Sequence, residues 1–235
     1  MGIEKIANGI EQAKLGYMEA VCGAAERAKA EIKAANGDRS RSGSWARERI
    51  LGVVEAYEAE RAKMAGEVMP KLKGLYDEGL AGAAAVLSKQ PTSGEAAYLQ
   101  AFMLKQRITR SDVEQAKIAL QGSAVASSAM YDLAKEKGVD DESGVPGYIA
   151  VSSACDRCFG EDSQFLSSFG VARIIGDGSD FSFSCDSLRA AMRMKALANE
   201  FTNYLRAVAA FEQKAKAPSE NRQGDLAPQG DGMAG

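Results

Sequence analysis

Apolar or small residues recur at Ile3, Ile6, Ile10, Ala13, Tyr17, Ala20 and Ala24, alternating spacings of three and four. That rhythm keeps one stripe of a helix turned toward a partner, as in a coiled coil. A second run follows it at Ile50, Val53, Tyr57, Met64, Val68, Leu72 and Leu75. Between them lies Asp38-Arg39-Ser40-Arg41-Ser42-Gly43, polar and ending in glycine, which reads as a turn. A short connection between two long helices makes them antiparallel neighbours, so residues 1–90 are expected to form a helical hairpin. Asn36-Gly37 suits a left-handed cap at the end of the first helix, and Ser44 suits the N-cap of the second. Pro70 removes a backbone donor inside the second pattern and predicts a kink or break near Glu67 to Met69.

A compact helical unit is expected over residues 91–138. Ala97, Leu99, Phe102, Met103 and Leu104 mark a short buried helix, Ser111 with Glu114 reads as a capping box, and Ser123 can start a third helix that Lys137-Gly138 closes. The period then changes. Tyr148-Ile149-Ala150-Val151 is β-prone, and Phe181, Phe183 and Cys185 alternate with Ser182 and Ser184. Val171 to Ile175 and Phe181 to Cys185 are expected to pair as a small antiparallel sheet about an Asp177-Gly178 turn, with a short helix near Asp162 to Phe169. Leu188, Met192, Leu197, Phe201, Leu205, Val208 and Phe211 then mark an amphipathic helix from Ser187 to about Lys214. Residues 139–216 form the third expected segment. Residues 217–235 are polar and rich in Gly and Pro, and are expected to be disordered. The fold class is therefore mainly α: a long antiparallel helical hairpin, a compact helical unit, a small β element and a long C-terminal helix.

Composition narrows the chemistry. The chain has 235 residues, a formal charge of -3 and no histidine. Absent histidine removes Ser-His-Asp and Cys-His catalysis and the usual histidine metal sites. The acidic balance does not favour a dedicated nucleic-acid binder. No Walker loop, GxGxxG or GxSxG is present. Asp177-Gly178-Ser179-Asp180 faintly suggests a calcium loop, but it lacks the ligand spacing of an EF-hand and a hairpin turn accounts for it. Charges break up Met1 to Lys14, so that stretch does not read as a signal peptide, and no apolar run reaches membrane-spanning length. The expectation is a protein of a reducing cytoplasm, with no membrane association.

Two candidate sites remain. Cys155-Asp-Arg-Cys158 is a Cys-x-x-Cys pair, which puts two sulfurs at metal-chelating or redox spacing. Cys185 supplies a third possible ligand, although structural zinc wants four. Buried thiols with no cofactor are the alternative. The second candidate is Arg39, Arg41, Arg47 and Arg49, four guanidinium groups at the tip of the expected hairpin. They could grip phosphate or an acidic partner, or be a solvated turn.

Ile108-Thr-Arg-Ser-Asp-Val-Glu-Gln-Ala-Lys-Ile-Ala-Leu, followed by a short helix ending Asp132-Leu-Ala-Lys-Glu-Lys-Gly-Val, resembles a module of small tailed-phage proteins. In these a charged helical arm precedes a compact helical unit, and the resemblance spans about Ile3 to Val139. It implies a phage or prophage structural or assembly protein of the bacterial host's cytoplasm or of the virion, in contact with other virion or assembly proteins. The apolar stripe exceeds what a two-helix hairpin can bury alone and no catalytic constellation is present, so the expectation is a non-enzymatic homo-oligomer. Two further readings stay open: an adaptor or regulatory module docking through the basic tip, and a thiol redox or zinc protein using Cys155 and Cys158.

Overall fold

The computed structural model describes residues 2–139, 144–175, 180–185 and 199–216. The elements are α1 (Ile3–Gly37), α2 (Gly43–Leu87), α3 (Ser93–Met103), α4 (Arg110–Ala119), α5 (Ala124–Glu136), α6 (Tyr148–Ser168), β1 (Ala172–Ile175), β2 (Asp180–Phe183) and α7 (Glu200–Lys216). The chain is mainly helical with a small antiparallel sheet, as the hydrophobic pattern predicts. It divides into two compact units, one from Met1–Ala85 with Pro146–Val208 and the other from Val86–Val145 with Ala209–Gly235.

In the first unit the hairpin closes within the chain. The space beside Gly9 is taken by Leu75 and that beside Gly82 by Ile3, while Arg27 reaches Glu60 at 2.9 Å and Arg49 reaches Glu31 at 3.1 Å. These pairings are antiparallel. At 1.5 Å per residue, the 35 residues of α1 extend about 52 Å and the 45 of α2 about 68 Å. The buried face of α1 is wider than one seam: Ala7, Met18, Val21, Ala25, Ala28, Ile32 and Ala35 join the predicted stripe, and Val21, not Ala20, carries it past Tyr17. The extra width is covered by the rest of the unit. Tyr17 meets Phe169 at 6.2 Å between ring centroids, Tyr57 meets Phe183 edge-on at 4.9 Å, and Tyr76 stacks on Phe201 at 5.0 Å. Gly79 lets Phe201, Leu205 and Ile6 close over α2, where a Cβ would stand 2.9 Å from a methyl of Leu205. Arg206 of α7 then donates to Asn8 at 3.1 Å and to Glu11 at 2.7 Å on α1.

Several local expectations are corrected. Of the kink or break expected at Pro70, the break does not occur: Pro70 lies inside α2, which continues through it. The acceptor it leaves without a partner is the carbonyl of Gly66, and both residues are exposed, so water can serve that group. Buried Tyr57 on one side and Leu72 and Tyr76 on the other hold the two halves to a common surface. Gly37 takes no left-handed conformation; positive φ among the described residues occurs at Gly138 and Gly170 alone. The N-cap of α2 is Ser42 rather than Ser44, with its hydroxyl accepting from the Trp45 amide at 3.3 Å. Tyr148 to Val151 is the first turn of α6, not a strand, and the expected short helix near Asp162 to Phe169 is the end of that same helix. Val151, Ala154, Cys155 and Cys158 are all buried, at the three- and four-residue spacing of a helix face.

The sheet matches its expectation over the described residues: β1 and β2 pair antiparallel with Ala172 opposite Phe183 and Ile174 opposite Phe181. Phe181, Phe183 and Cys185 are buried, and Ser182 and Ser184 partly exposed. The Asp177-Gly178 turn, the calcium-loop reading, the start of the helix expected from Ser187 and the tail over 217–235 lie outside the described residues.

The second unit packs α3, α4 and α5 around Phe102, Ile108, Val113, Ala116, Leu120, Ala126, Met130 and Ala134. Each helix begins on a hydroxyl cap. Thr92 and Glu95 form a capping box, Thr109 and Asp112 form a second, and Ser123 accepts from the Ala126 amide at 3.3 Å. The second box displaces the expected Ser111–Glu114 pair by two residues. Asp112 also accepts from Lys105, and that bond, with those from Thr109, pulls its carboxyl down to about 2. At the end of α5, Val139 N–H reaches Ala134 O at 2.9 Å and Gly138 N–H reaches Lys135 O at 3.0 Å, a Schellman closure on Gly138 at φ 80°.

Candidate functional site

The cysteines come first because they carry the sharpest motif. Cys155 and Cys158 both lie on α6 and are buried, and all four cysteines are in thiol form. Residues three apart on a helix have Cβ atoms about 5–6 Å apart, whereas a disulfide needs about 3.8 Å. The pair therefore cannot bridge while α6 stays helical. Burial pushes the Cys155 thiol up to about 11; Asp156 and Asp77 add to the shift and Lys73 opposes it. That direction is opposite to an activated nucleophile, whose thiolate is stabilised. The structure does not gather Cys155, Cys158 and Cys185 into one ligand set. Cys155 lies near Asp77 and Lys73, Cys185 lies near Tyr57, and no three Cys, Asp or Glu side chains among the described residues are placed to hold a metal.

Two outcomes follow from the Cys155 shift. In native protein at pH 8, iodoacetamide should modify Cys155 about 100-fold more slowly than in urea-unfolded protein, judged by mass spectrometry of the resulting peptides. The raised pKa also means that the folded state holds its proton to higher pH than the unfolded chain. Stability contributed by the neutral thiol is thus complete below about 9 and is lost as pH rises toward about 11. Tyr17 and Tyr57, raised chiefly by burial, act in the same direction. Urea midpoints should fall through that alkaline window.

The densest polar cluster was not visible in the sequence. Four side chains of the hairpin hold the C-terminal end of α6. Tyr17 Oη donates to Leu166 O at 2.8 Å, Arg61 to Ser167 O at 2.9 Å and to Phe169 O at 3.5 Å, and Tyr57 Oη to Gly170 O. Glu58, paired with Arg61 at 2.7 Å, accepts from the Ala172 amide at 2.8 Å. The last carbonyls of a helix have no intrahelical partner, and here the hairpin supplies them. The hydroxyls and the guanidinium face backbone carbonyls, and the cluster anchors α6 and β1.

The hairpin tip is the second candidate. Asp38 accepts from both the amide and the hydroxyl of Ser40, which draws its carboxyl down, and Arg41 N–H closes a turn on Asp38 O at 3.3 Å. Ser42 then starts α2. The four predicted arginines divide into two groups. Arg49 ties α2 to Glu31 of α1, an exposed bridge worth about 0–1 kcal/mol. Arg39, Arg41 and Arg47 are exposed and make no ion pair with any described residue. The residue that sequence reasoning missed is Trp45. It is the only tryptophan in the chain, 37% exposed, with the Arg41 guanidinium 5.4 Å from its ring centroid. Its signal was available: a lone Trp four positions after Arg41, beside a polar turn and ahead of the apolar stripe that begins at Ile50.

The α4–α5 pair has the spacing of a helix-turn-helix, with Gly122 in a four-residue connection. Its second helix argues against reading DNA. The exposed positions of α5 include Val125, Ala129, Asp132, Lys135 and Glu136, two acids and no arginine. No described helix is long and apolar enough to cross a membrane. Compared with protein families, curated proteins and solved structures, the chain matches none.

Proposed function

We propose that the protein is a non-enzymatic phage or prophage structural or assembly protein, acting by self-association and by contact with other particle components. The observation that carries this reading is apolar surface left facing water. Met103 and Leu104, consecutive at the end of α3, are 57% and 83% exposed, and Ile149 at the start of α6 is 81% exposed. Scattered exposed apolar residues are ordinary, but side chains this open beside well-buried cores fit contacts completed by other chains. The stripe of the hairpin, which first suggested association between chains, is covered within the first unit, so these positions are the better association surface. Tyr17, Tyr57, Glu58 and Arg61 support a non-enzymatic role, since their polar atoms anchor backbone groups.

Fractionating particles and precursor shells from a host carrying this gene tests the phage assignment. The chain should co-sediment with one of the two. Its absence from both would overturn the assignment.

A further inference from the structure

We infer that the hairpin tip is a docking site for an acidic, aromatic-containing segment of a partner protein, seated on Trp45 and Arg41, with the exposed guanidinium groups of Arg39 and Arg47 adding charge at the same end of the hairpin. The inference rests on the assembly reading and names the kind of partner its arm would take.

Four observations carry it. Trp45 is 37% exposed although it is the chain's single tryptophan, and Arg41 covers one side of its ring. Trp and Arg are the residues most enriched where binding energy concentrates, because each offers a large contact area together with a polar or charged edge. Arg39 and Arg47 are exposed with no carboxylate partner among the described residues, so they remain available to one from outside. The turn that presents these groups is already ordered, by the Asp38–Ser40 and Ser42–Trp45 hydrogen bonds, which lowers the entropy lost on binding. The N-terminal end of α2 lies at the same place and adds a partial positive charge.

Charge complementarity selects an acidic polypeptide over a nucleic acid. A single-strand binder combines a continuous basic track with several stacking aromatics. The tip has one exposed tryptophan, its arginines are interrupted by Asp38 and Glu48, and the chain as a whole carries -3. A short carboxylate segment needs only a few guanidinium forks and one apolar contact, which is what the tip provides.

Trp45 makes the test direct, since it is the only indole in the chain. Full-length protein is titrated with a synthetic peptide of about ten residues, Asp and Glu with one central Phe, while Trp45 emission and acrylamide quenching are followed. The expected result is a saturable blue shift, a several-fold fall in quenching, and weakening by about tenfold or more between low and high salt. Reversing all three charges (Arg39→Glu, Arg41→Glu, Arg47→Glu) should weaken binding by at least about tenfold at unchanged far-ultraviolet circular dichroism. If that variant loses helicity, Arg41→Gln alone should still weaken binding about threefold to tenfold. No spectral response at millimolar peptide, undiminished affinity in the folded variants, or tighter binding of an oligothymidylate of equal charge would each overturn the inference. Oligomeric mass does not enter these readouts, so failure here is distinct from failure of the assembly reading.

Discussion

Gly170→Ala is expected to lower the unfolding free energy by about 2–5 kcal/mol, the sum of two separable effects. Gly170 has φ 73°, and placing an L side chain in that left-handed region costs about 1–2 kcal/mol. The added Cβ would also overlap Val21 Cγ1 and stand 2.7 Å from the Tyr57 hydroxyl, with Arg61 Cδ at 3.6 Å. None of these three can retreat easily. Val21 is buried in α1, Tyr57 donates to the Gly170 carbonyl itself, and Arg61 is engaged with Ser167 and Glu58. Overpacking of this kind costs about 1–3 kcal/mol. Gly138 supplies the internal control. It has φ 80° but nothing within 4 Å of the point where a Cβ would stand, so Gly138→Ala should show the conformational cost alone. Urea unfolding of the two variants side by side checks the prediction; equal losses would mean that the anchor around Gly170 is not packed as described.

Tyr76→Ala should cost about 3–5 kcal/mol, in the range for deleting a large buried aromatic. Tyr76 is 1% exposed and holds three elements together. Its ring stacks on Phe201 of α7 at 5.0 Å and meets Phe159 of α6 at 5.4 Å, while its hydroxyl accepts from Asn199 Nδ2 at 3.2 Å. Tyr76→Phe separates packing from polarity. It keeps both ring contacts and removes the acceptor of an amide that is 4% exposed and whose Oδ1 has no hydrogen-bond partner among the described residues. The expected loss is about 1–3 kcal/mol, the cost of leaving a buried polar group without its partner. Denaturation of the pair in one buffer distinguishes the two contributions, and a Phe variant as unstable as the Ala variant would contradict this division.

Much of the architecture was legible because it rests on periodicity. The helical hairpin, the three-helix unit, the two-stranded sheet and the amphipathic C-terminal helix each repeat an apolar position often enough to outweigh local exceptions. The misreadings share one cause, a short local signal set against a longer one. Four β-prone residues at Tyr148 suggested a strand, yet the helical spacing from Val151 to Cys158 belongs to a 21-residue helix. Pro70 suggested a kink or break, and the break is absent: α2 continues through it with buried positions on both sides. Ser111 and Glu114 satisfied a capping pattern, yet Thr109 and Asp112 satisfied it two residues earlier, where Ile108 enters the core.

The candidate sites were less legible, because a site depends on residues distant in sequence. Nothing local to Tyr17, Tyr57, Glu58 or Arg61 announces that they meet residues 166–172, more than a hundred positions away. The Cys-x-x-Cys spacing was plain, but its meaning depended on which element held it. On the buried face of a helix it gives no disulfide geometry, and burial pushes the Cys155 thiol away from the thiolate. At the tip, the arginines were visible as a run of charge. Only the fold separates Arg49, which braces the two helices, from Arg41, which lies against Trp45, and from Arg39 and Arg47, which are exposed without an ion pair to any described residue.

If the exposed apolar positions are association surfaces, mass in solution must show it. Light scattering on the full chain across the micromolar range should give a mean mass above the 24.9 kDa of one chain, rising with concentration. The double variant Leu104→Glu, Ile149→Glu should return it to one chain with helicity intact. A wild-type protein that stays at the monomer mass up to high micromolar concentration would contradict the account.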